Sequence, residues 1–193
     1  MDAFRKEAYG PQGDPGYHLP LDQLETRLRA LPAVDPDHGN LKLIVRRHSD
    51  GEREKLGQAR LSREEGVPGD GWNRRPPRDP EGQLTVMRAD IASLIANGQD
   101  LTLFGDNLFV ELDLSAENLP AGTRIRIGKA VAEATALPHD GCSKFKGRFG
   151  QDALRFVQAR ETRHENRRGI YWKIVEAGEV RVGDDVEVLS RPS

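Results

Sequence analysis

A mainly β chain with a few helices, closed into a barrel, is the fold class this sequence predicts, and three features predict it. Short runs rich in Val, Ile, Leu and Thr recur from Leu41 to Leu189, glycine-rich turns separate them, and few stretches carry helical spacing. Strands joined this way favour closure, because a closed barrel has no exposed sheet edges. The composition agrees, with 20 glycines, 12 prolines, 36% hydrophobic and 31% charged residues in a chain of 193. That length suffices for one sizeable core with an elaborated terminus.

The elements are expected in the following order. Residues 1–20 contain Gly10, Pro11, Gly13, Pro15, Gly16 and Pro20 and read as an irregular arm. Leu21, Leu24, Leu28 and Leu31 then recur at helical spacing, with Pro20 suited to the start of a short helix and Pro32 to its end. After the loop at 35–40 the barrel begins, so residues 1–40 are expected as an arm with a short helix and residues 41–193 as the barrel domain. Strands are expected at 41–45, 83–87, 101–112, 123–128, 129–135, 170–175 and 180–189. Helices are expected at 88–96, stopped by Asn97-Gly98, and at 151–159, where Ala153, Leu154 and Val157 share a face. The sequence has no internal repeat.

Charge and hydropathy narrow the function classes. Twenty-nine basic against 31 acidic residues give a formal net charge of -2, which is no footprint for general nucleic-acid binding. No apolar run approaches the about 20 residues that a membrane-spanning helix needs. The first residues, Met1 to Glu7, have no apolar core of a signal peptide, so a reducing cytoplasm is the expected compartment. Basic residues nonetheless gather at Lys144 to Arg148 and at Arg160, Arg163, Arg167 and Arg168. Such clusters form solvated faces or hold a phosphorylated small molecule.

Cys142 is the only cysteine, in the run Pro138-His139-Asp140-Gly141-Cys142-Ser143-Lys144-Phe145-Lys146-Gly147-Arg148-Phe149-Gly150. A lone thiol closes no intramolecular disulfide, which leaves reactivity, a metal bond or packing. The segment is polar and rich in glycine, unlike a core. Gly141 leaves room for close approach, and Lys144, Lys146 and Arg148 favour a thiolate. His139, three residues earlier, suits a proton donor or an anchor for the loop. A single cysteine is too few for structural zinc, and an iron-sulfur centre needs several.

Several motifs in order resemble the MOSC domain, the module named for the C-terminal part of molybdenum cofactor sulfurases. They are Gly69-Asp70-Gly71-Trp72, Gly105-Asp106-Asn107-Leu108 and the run from Leu119 to Gly128, followed by Pro138 to Cys142, Arg148-Phe149-Gly150, Arg168-Gly169-Ile170-Tyr171 and Val180 to Asp184. The resemblance covers residues 70–189. It implies a barrel like the small domain of pyruvate kinase, with Cys142 at an open site. It further implies one of two roles for that thiol. In the first, Cys142 is a molybdenum ligand for the molybdenum cofactor, possible in a reductase of N-hydroxylated compounds that draws electrons from a partner protein. In the second, it carries persulfide sulfur received from a cysteine desulfurase. Pyridoxal phosphate would then enter only through that partner, because the chain is too short to hold an aminotransferase-like domain.

The site residues follow from this reading. Cys142 and His139 are the candidate catalytic residues, with Cys142 also the candidate metal ligand. A soft thiolate suits molybdenum, whose pterin brings two dithiolene sulfurs of its own. The cofactor ends in a phosphate, for which Lys144, Arg148 and Arg168 are candidate partners. Asp106 and Asn107 follow Gly105 between two apolar stretches, where they either aim polar groups into a pocket or simply form the turn. Asp70 suits either job. Trp72, Phe104, Phe145, Phe149 and Trp172 are assigned to the core.

Overall fold

The computed structural model describes residues 10–74 and 78–192. The first nine residues of the expected arm lie outside the described residues. Ten strands are present among the described residues: β1 (His38–Arg47), β2 (Arg53–Leu56), β3 (Gln58–Leu61), β4 (Leu84–Arg88), β5 (Leu108–Val110), β6 (Arg124–Ile127), β7 (Ala130–Ala134), β8 (Ile170–Glu176), β9 (Gly178–Arg181) and β10 (Asp185–Ser190). Seven of them close a mixed barrel in the order β1, β5, β4, β8, β7, β6, β10 and back to β1. The β4–β5 pairing is parallel and the others are antiparallel.

The long first strand makes closure possible. Its start pairs with β10, its middle with β5, and its end, Ile44 to Arg47, with the additional strand β2. Gly39 is required at the closure, because a Cβ there would sit 1.7 Å from the Glu111 carbonyl oxygen. β3 and β9 form a separate two-stranded ribbon.

Strand alternation divides the apolar residues into two cores. Leu41 and Ile44, Leu84 and Val86, Leu108 and Val110, and Trp172 and Ile174 point into the barrel with Ile125, Ile127 and Val186. Their neighbours Val45, Met87 and Phe109 point outward into a second core built with helices. Those helices are α1 (Leu21–Arg29), α2 (Ala89–Ala96), α3 (Ser143–Phe149) and α4 (Gln151–Gln158). Leu24 of α1 is fully buried in this outer layer, where α1 lies against α2 and α4.

Four local expectations are corrected. The expected strand at 101–112 is a 3₁₀ turn (Leu101–Phe104) followed by the short β5. Asp100 caps the turn by accepting from Thr102 N at 2.9 Å, and Gly105 leaves it at φ 74, a left-handed conformation that favours glycine. The expected strand at 180–189 is two strands, β9 and β10, broken at Gly183 with φ 97. β2 and β3 were not anticipated, because their Arg, Glu, Lys and Gln residues hide the alternation. The cysteine segment forms α3 rather than a loop. Phe145, Arg148 and Phe149 recur at helical spacing and are buried, while Gly147 faces open space.

Candidate active site

The site lies on the outside of the barrel, where the helical layer stops. The outward positions of β1, β4 and β8, with the short β5 between the first two, change there from apolar to polar. Val45 gives way to Arg47 and Met87 to Thr85, with Tyr171 beside them on β8. Arg47, Thr85 and Tyr171 border a cavity of about 280 Å³, together with Arg53, Arg74, Lys144 and Trp72. Trp72 thus stands at the cavity, half-buried, rather than in the core, while the other four aromatic residues assigned to the core are buried.

Four cations on one small cavity need an explanation. Arg47 and Arg53 are directly opposite in the β1–β2 pairing, an arrangement of like charges that destabilises a sheet. Arg74 Nη1 donates to the Arg47 carbonyl at 2.8 Å and the Gly69 carbonyl at 2.9 Å, which brings a third guanidinium to the same place. Asp70 is 1% exposed and spends its carboxylate on Arg47, accepting from its backbone N, Nε and Nη2 and also from Trp72 N. Burial alone would raise the Asp70 pKa, but Arg47 holds it below the ordinary carboxylate value. Among the described residues no carboxylate pairs with Arg53, whose Nη1 donates instead to the Gly51 carbonyl at 3.0 Å. Burial, then Arg148, Arg47 and Arg74, push its pKa down to about 10, and its Nε is buried without a hydrogen-bond partner. An anion in the cavity would relieve this repulsion.

Cys142 is exposed and immediately precedes α3, whose second residue is Lys144 on the cavity wall. Two contacts fix the loop that presents it. Gln158 Nε2 donates to the Gly141 carbonyl at 2.7 Å, and Arg163 grips Asp140 at 2.7 and 2.9 Å. Gly141 packs so closely on α4 that a Cβ would stand 2.6 Å from Leu154 Cδ1.

The remaining candidates are internal. Arg148 is buried and donates to the Leu103 carbonyl at 2.8 Å and the Pro11 carbonyl at 3.1 Å, so it ties the arm and the 3₁₀ turn to α3. Asn107 accepts from Thr85 N and Oγ1 and donates to the Val45 carbonyl, locking β1, β4 and the start of β5 together. Arg168 Nη1 donates to Asp106 Oδ2 at 2.7 Å, and His139 Nε2 stands 3.7 Å from Asp106 Oδ1. The structure therefore brings Cys142, Lys144, Asp70, Asp106, Asn107, His139, Arg148 and Arg168 into one region. Only Lys144 among them borders the 280 Å³ cavity. Arg47, Arg53, Arg74 and Tyr171 were given no role from the sequence. The available signal was Arg46-Arg47 at the end of an apolar strand and Arg53 across its turn.

A MOSC-domain model matches residues 72–187. The chain belongs to the MOSC domain family. No curated protein sequence matches it at significance. Among solved structures, this MOSC protein is similar to YuaD from Bacillus subtilis, with 18% identity, a TM-score of 0.60, and coverage of 80% of this chain and 97% of that one. It is also similar to YiiM from Escherichia coli, with 22% identity, a TM-score of 0.53, and coverage of 80% and 71%. Likeness at these identities is a likeness of fold. No helix among the described residues is long and apolar enough to cross a membrane, and no group of three or more His, Cys, Asp or Glu side chains there is placed to hold a metal ion.

Proposed function

We propose that this MOSC protein binds the molybdenum cofactor through Cys142 and is the catalytic subunit of a cytoplasmic reductase for small N-hydroxylated compounds, with electrons supplied by a separate partner protein. The observation that carries the reading is an exposed thiol leading into a helix whose Lys144 closes a cavity walled by Arg47, Arg53 and Arg74. The donor set fits the group: one soft thiolate for a metal that brings other sulfur ligands, and cations for a terminal phosphate. When bound, the cofactor would supply the two-electron redox chemistry. The chain would supply the rest. Cys142 holds the metal, Lys144 and the three arginines hold the phosphate, and Tyr171 and Trp72 give the cavity its planar walls.

The same exposed thiol also suits a carrier of persulfide sulfur from a desulfurase, and one experiment separates the two. Molybdenum per chain is measured in wild type and Cys142→Ser purified from molybdenum-replete cells, with circular dichroism to check folding. The expected result is near-stoichiometric metal in wild type and almost none in a folded Cys142→Ser. Wild type without molybdenum, or a Cys142→Ser protein that retains it, overturns the ligand role. Sulfane sulfur on a metal-free Cys142 would favour the carrier.

A further inference from the structure

Tyr171 on β8 lies directly opposite Thr85 on β4, and both border the cavity. Among the described residues the Tyr171 hydroxyl neither makes a hydrogen bond nor is buried, so it stands open to the cavity. A tyrosine hydroxyl inside a protein usually finds a partner there. This one is left for a ligand.

The ring, by contrast, is held. His139 lies against it with ring centroids 4.5 Å apart, and a Cβ on Gly82 would stand 4.0 Å from Tyr171 Cε1 and 3.3 Å from Leu137 Cδ2. The backbone is fixed on both sides, by the pairing with β4 and by the bond from Thr135 N to the Tyr171 carbonyl at 3.0 Å. A side chain packed in this way presents its polar tip in one place.

The thiol is bracketed from two directions. His139, three residues before Cys142, rests on the Tyr171 ring, and Lys144, two residues after it, borders the same cavity. The cysteine loop thus starts at Tyr171 and ends at the cavity wall. In the sheet order β8, β4, β5, β1, β2, Tyr171 is at one end and Arg47 and Arg53 are at the other. Tyr171 therefore marks the thiol end of the cavity and the arginines its anion end.

We infer that Tyr171 is the acid of this site, its hydroxyl donating a proton to the departing oxygen of an N-hydroxylated substrate. The inference rests on the reductase reading. The reaction is R–NHOH + 2 H⁺ + 2 e⁻ → R–NH₂ + H₂O, with both electrons from the partner protein. As the N–O bond breaks, its electron pair goes to oxygen, the Tyr171 O–H breaks and a new O–H forms, so water leaves. The two supplied electrons stay on nitrogen, which takes the second proton from solvent. The tyrosinate regains its own proton from solvent in the open cavity.

The proton affinities suit this direction. Burial, then Asp106, push the Tyr171 pKa above its ordinary value, with Asp140 adding to this and Arg168 and Arg47 opposing it. The phenol is therefore protonated at neutral pH. An oxygen leaving as hydroxide is the stronger base, since the pKa of water is about 15.7 against about 10 for an ordinary phenol. Burial, then Arg168 and Arg47, hold the His139 pKa well below its ordinary value, so the ring behind Tyr171 is neutral and is not the acid. Lys144 is the cation on this side of the cavity, and it stabilises negative charge on the tyrosinate.

The test has two arms. In the cofactor-loaded full chain, Tyr171→Phe is assayed with 6-hydroxylaminopurine and an artificial electron donor, beside a chain carrying 2,3,5-trifluorotyrosine at position 171, a more acidic phenol. Tyr171→Phe should keep its molybdenum, hold KM within about threefold and lose roughly 10²–10⁴-fold in kcat. The fluorinated chain should be active, with the alkaline fall of kcat moved down by about one pH unit or more, because the acid ionises earlier. Unchanged kcat in Tyr171→Phe, loss of molybdenum in step with activity, or a pH profile indifferent to the fluorines overturns the role. In the cofactor-free chain, N-acetylimidazole, which acylates accessible phenol hydroxyls, should modify Tyr171 along with Tyr17, which is 44% exposed. A Tyr171 left unmodified while Tyr17 reacts overturns the role whatever the metal content. A wild type that reduces nothing although its Tyr171 is acetylated sinks the reductase reading, and the role with it.

Discussion

The inside and the outside of the same strands obey different rules. On β4 and β8 the inward residues Leu84, Val86, Trp172 and Ile174 are buried, and their side chains carry one polar atom, the unpartnered Trp172 Nε1. One residue away, Thr85 and Tyr171 border a cavity with Arg47 and Arg53 across from one another and few acids to balance them. The interior is built for stability. The outer face accepts repulsion and unpartnered atoms, an arrangement that fits ligand binding.

The sharpest way to break the interior is Trp172→Ala. Trp172 is fully buried at the centre of the barrel core, and its removal leaves a large void between β4 and β7. A loss of about 3–5 kcal/mol is expected in denaturant unfolding. A loss below about 1 kcal/mol would mean that the barrel collapses around the void rather than being held open by its closed hydrogen-bond ring.

Asp70→Ala addresses a place where a carboxylate balances the outer face, the Arg47–Asp70 pair. It leaves Arg47 without its carboxylate in a largely buried setting, and a cost of about 3 kcal/mol at pH 7 is expected. The sign with pH follows from the lowered Asp70 pKa. A carboxyl whose folded pKa is depressed contributes stability that is present above its ordinary pKa and lost as pH falls through the folded value. The difference between wild type and Asp70→Ala should therefore be full at neutral pH and narrow below about pH 4. A difference that stays constant across that range would mean that the ionised carboxylate of Asp70 is not what stabilises the fold.

The same contrast explains what could be read from the sequence. Barrel strands such as 124–127 and 170–176 showed their alternation plainly, because each has one apolar face. The site was only half visible. Cys142 and its basic neighbours are contiguous and stood out, whereas Arg47, Arg53 and Arg74 come from three separate segments that only closure of the barrel and the β1–β2 pairing bring together. Arg148 misled for the opposite reason: its position in the chain suggested a ligand contact, but Phe145 and Phe149 make α3 a packed helix and turn its guanidinium toward backbone carbonyls. Spacing along a chain reports neighbours on one element, and a site assembled across elements leaves no such trace.

The smallest expected effect is the one that tests the outer face most directly. Arg53 faces Arg47 across the sheet and has Arg148 and Arg74 nearby, and its pKa is pushed down to about 10. For a base, a lowered folded pKa means that the charged form is penalised in the folded state, and the penalty is relieved only as pH rises through about 10 toward the ordinary guanidinium value. Arg53→Met removes that charge while keeping an apolar stem. It should raise stability at pH 7 by about 1 kcal/mol, a modest figure because the side chain is partly solvent-screened. Phosphate should act on one of the two proteins and not on the other. Compared with chloride at equal ionic strength, millimolar phosphate should raise the Tm of wild type by stabilising the crowded cations, and should leave Arg53→Met nearly unmoved. If Arg53→Met is less stable than wild type without phosphate, the arginine is a structural tie, and the cavity is not an anion site held open at a cost to the fold.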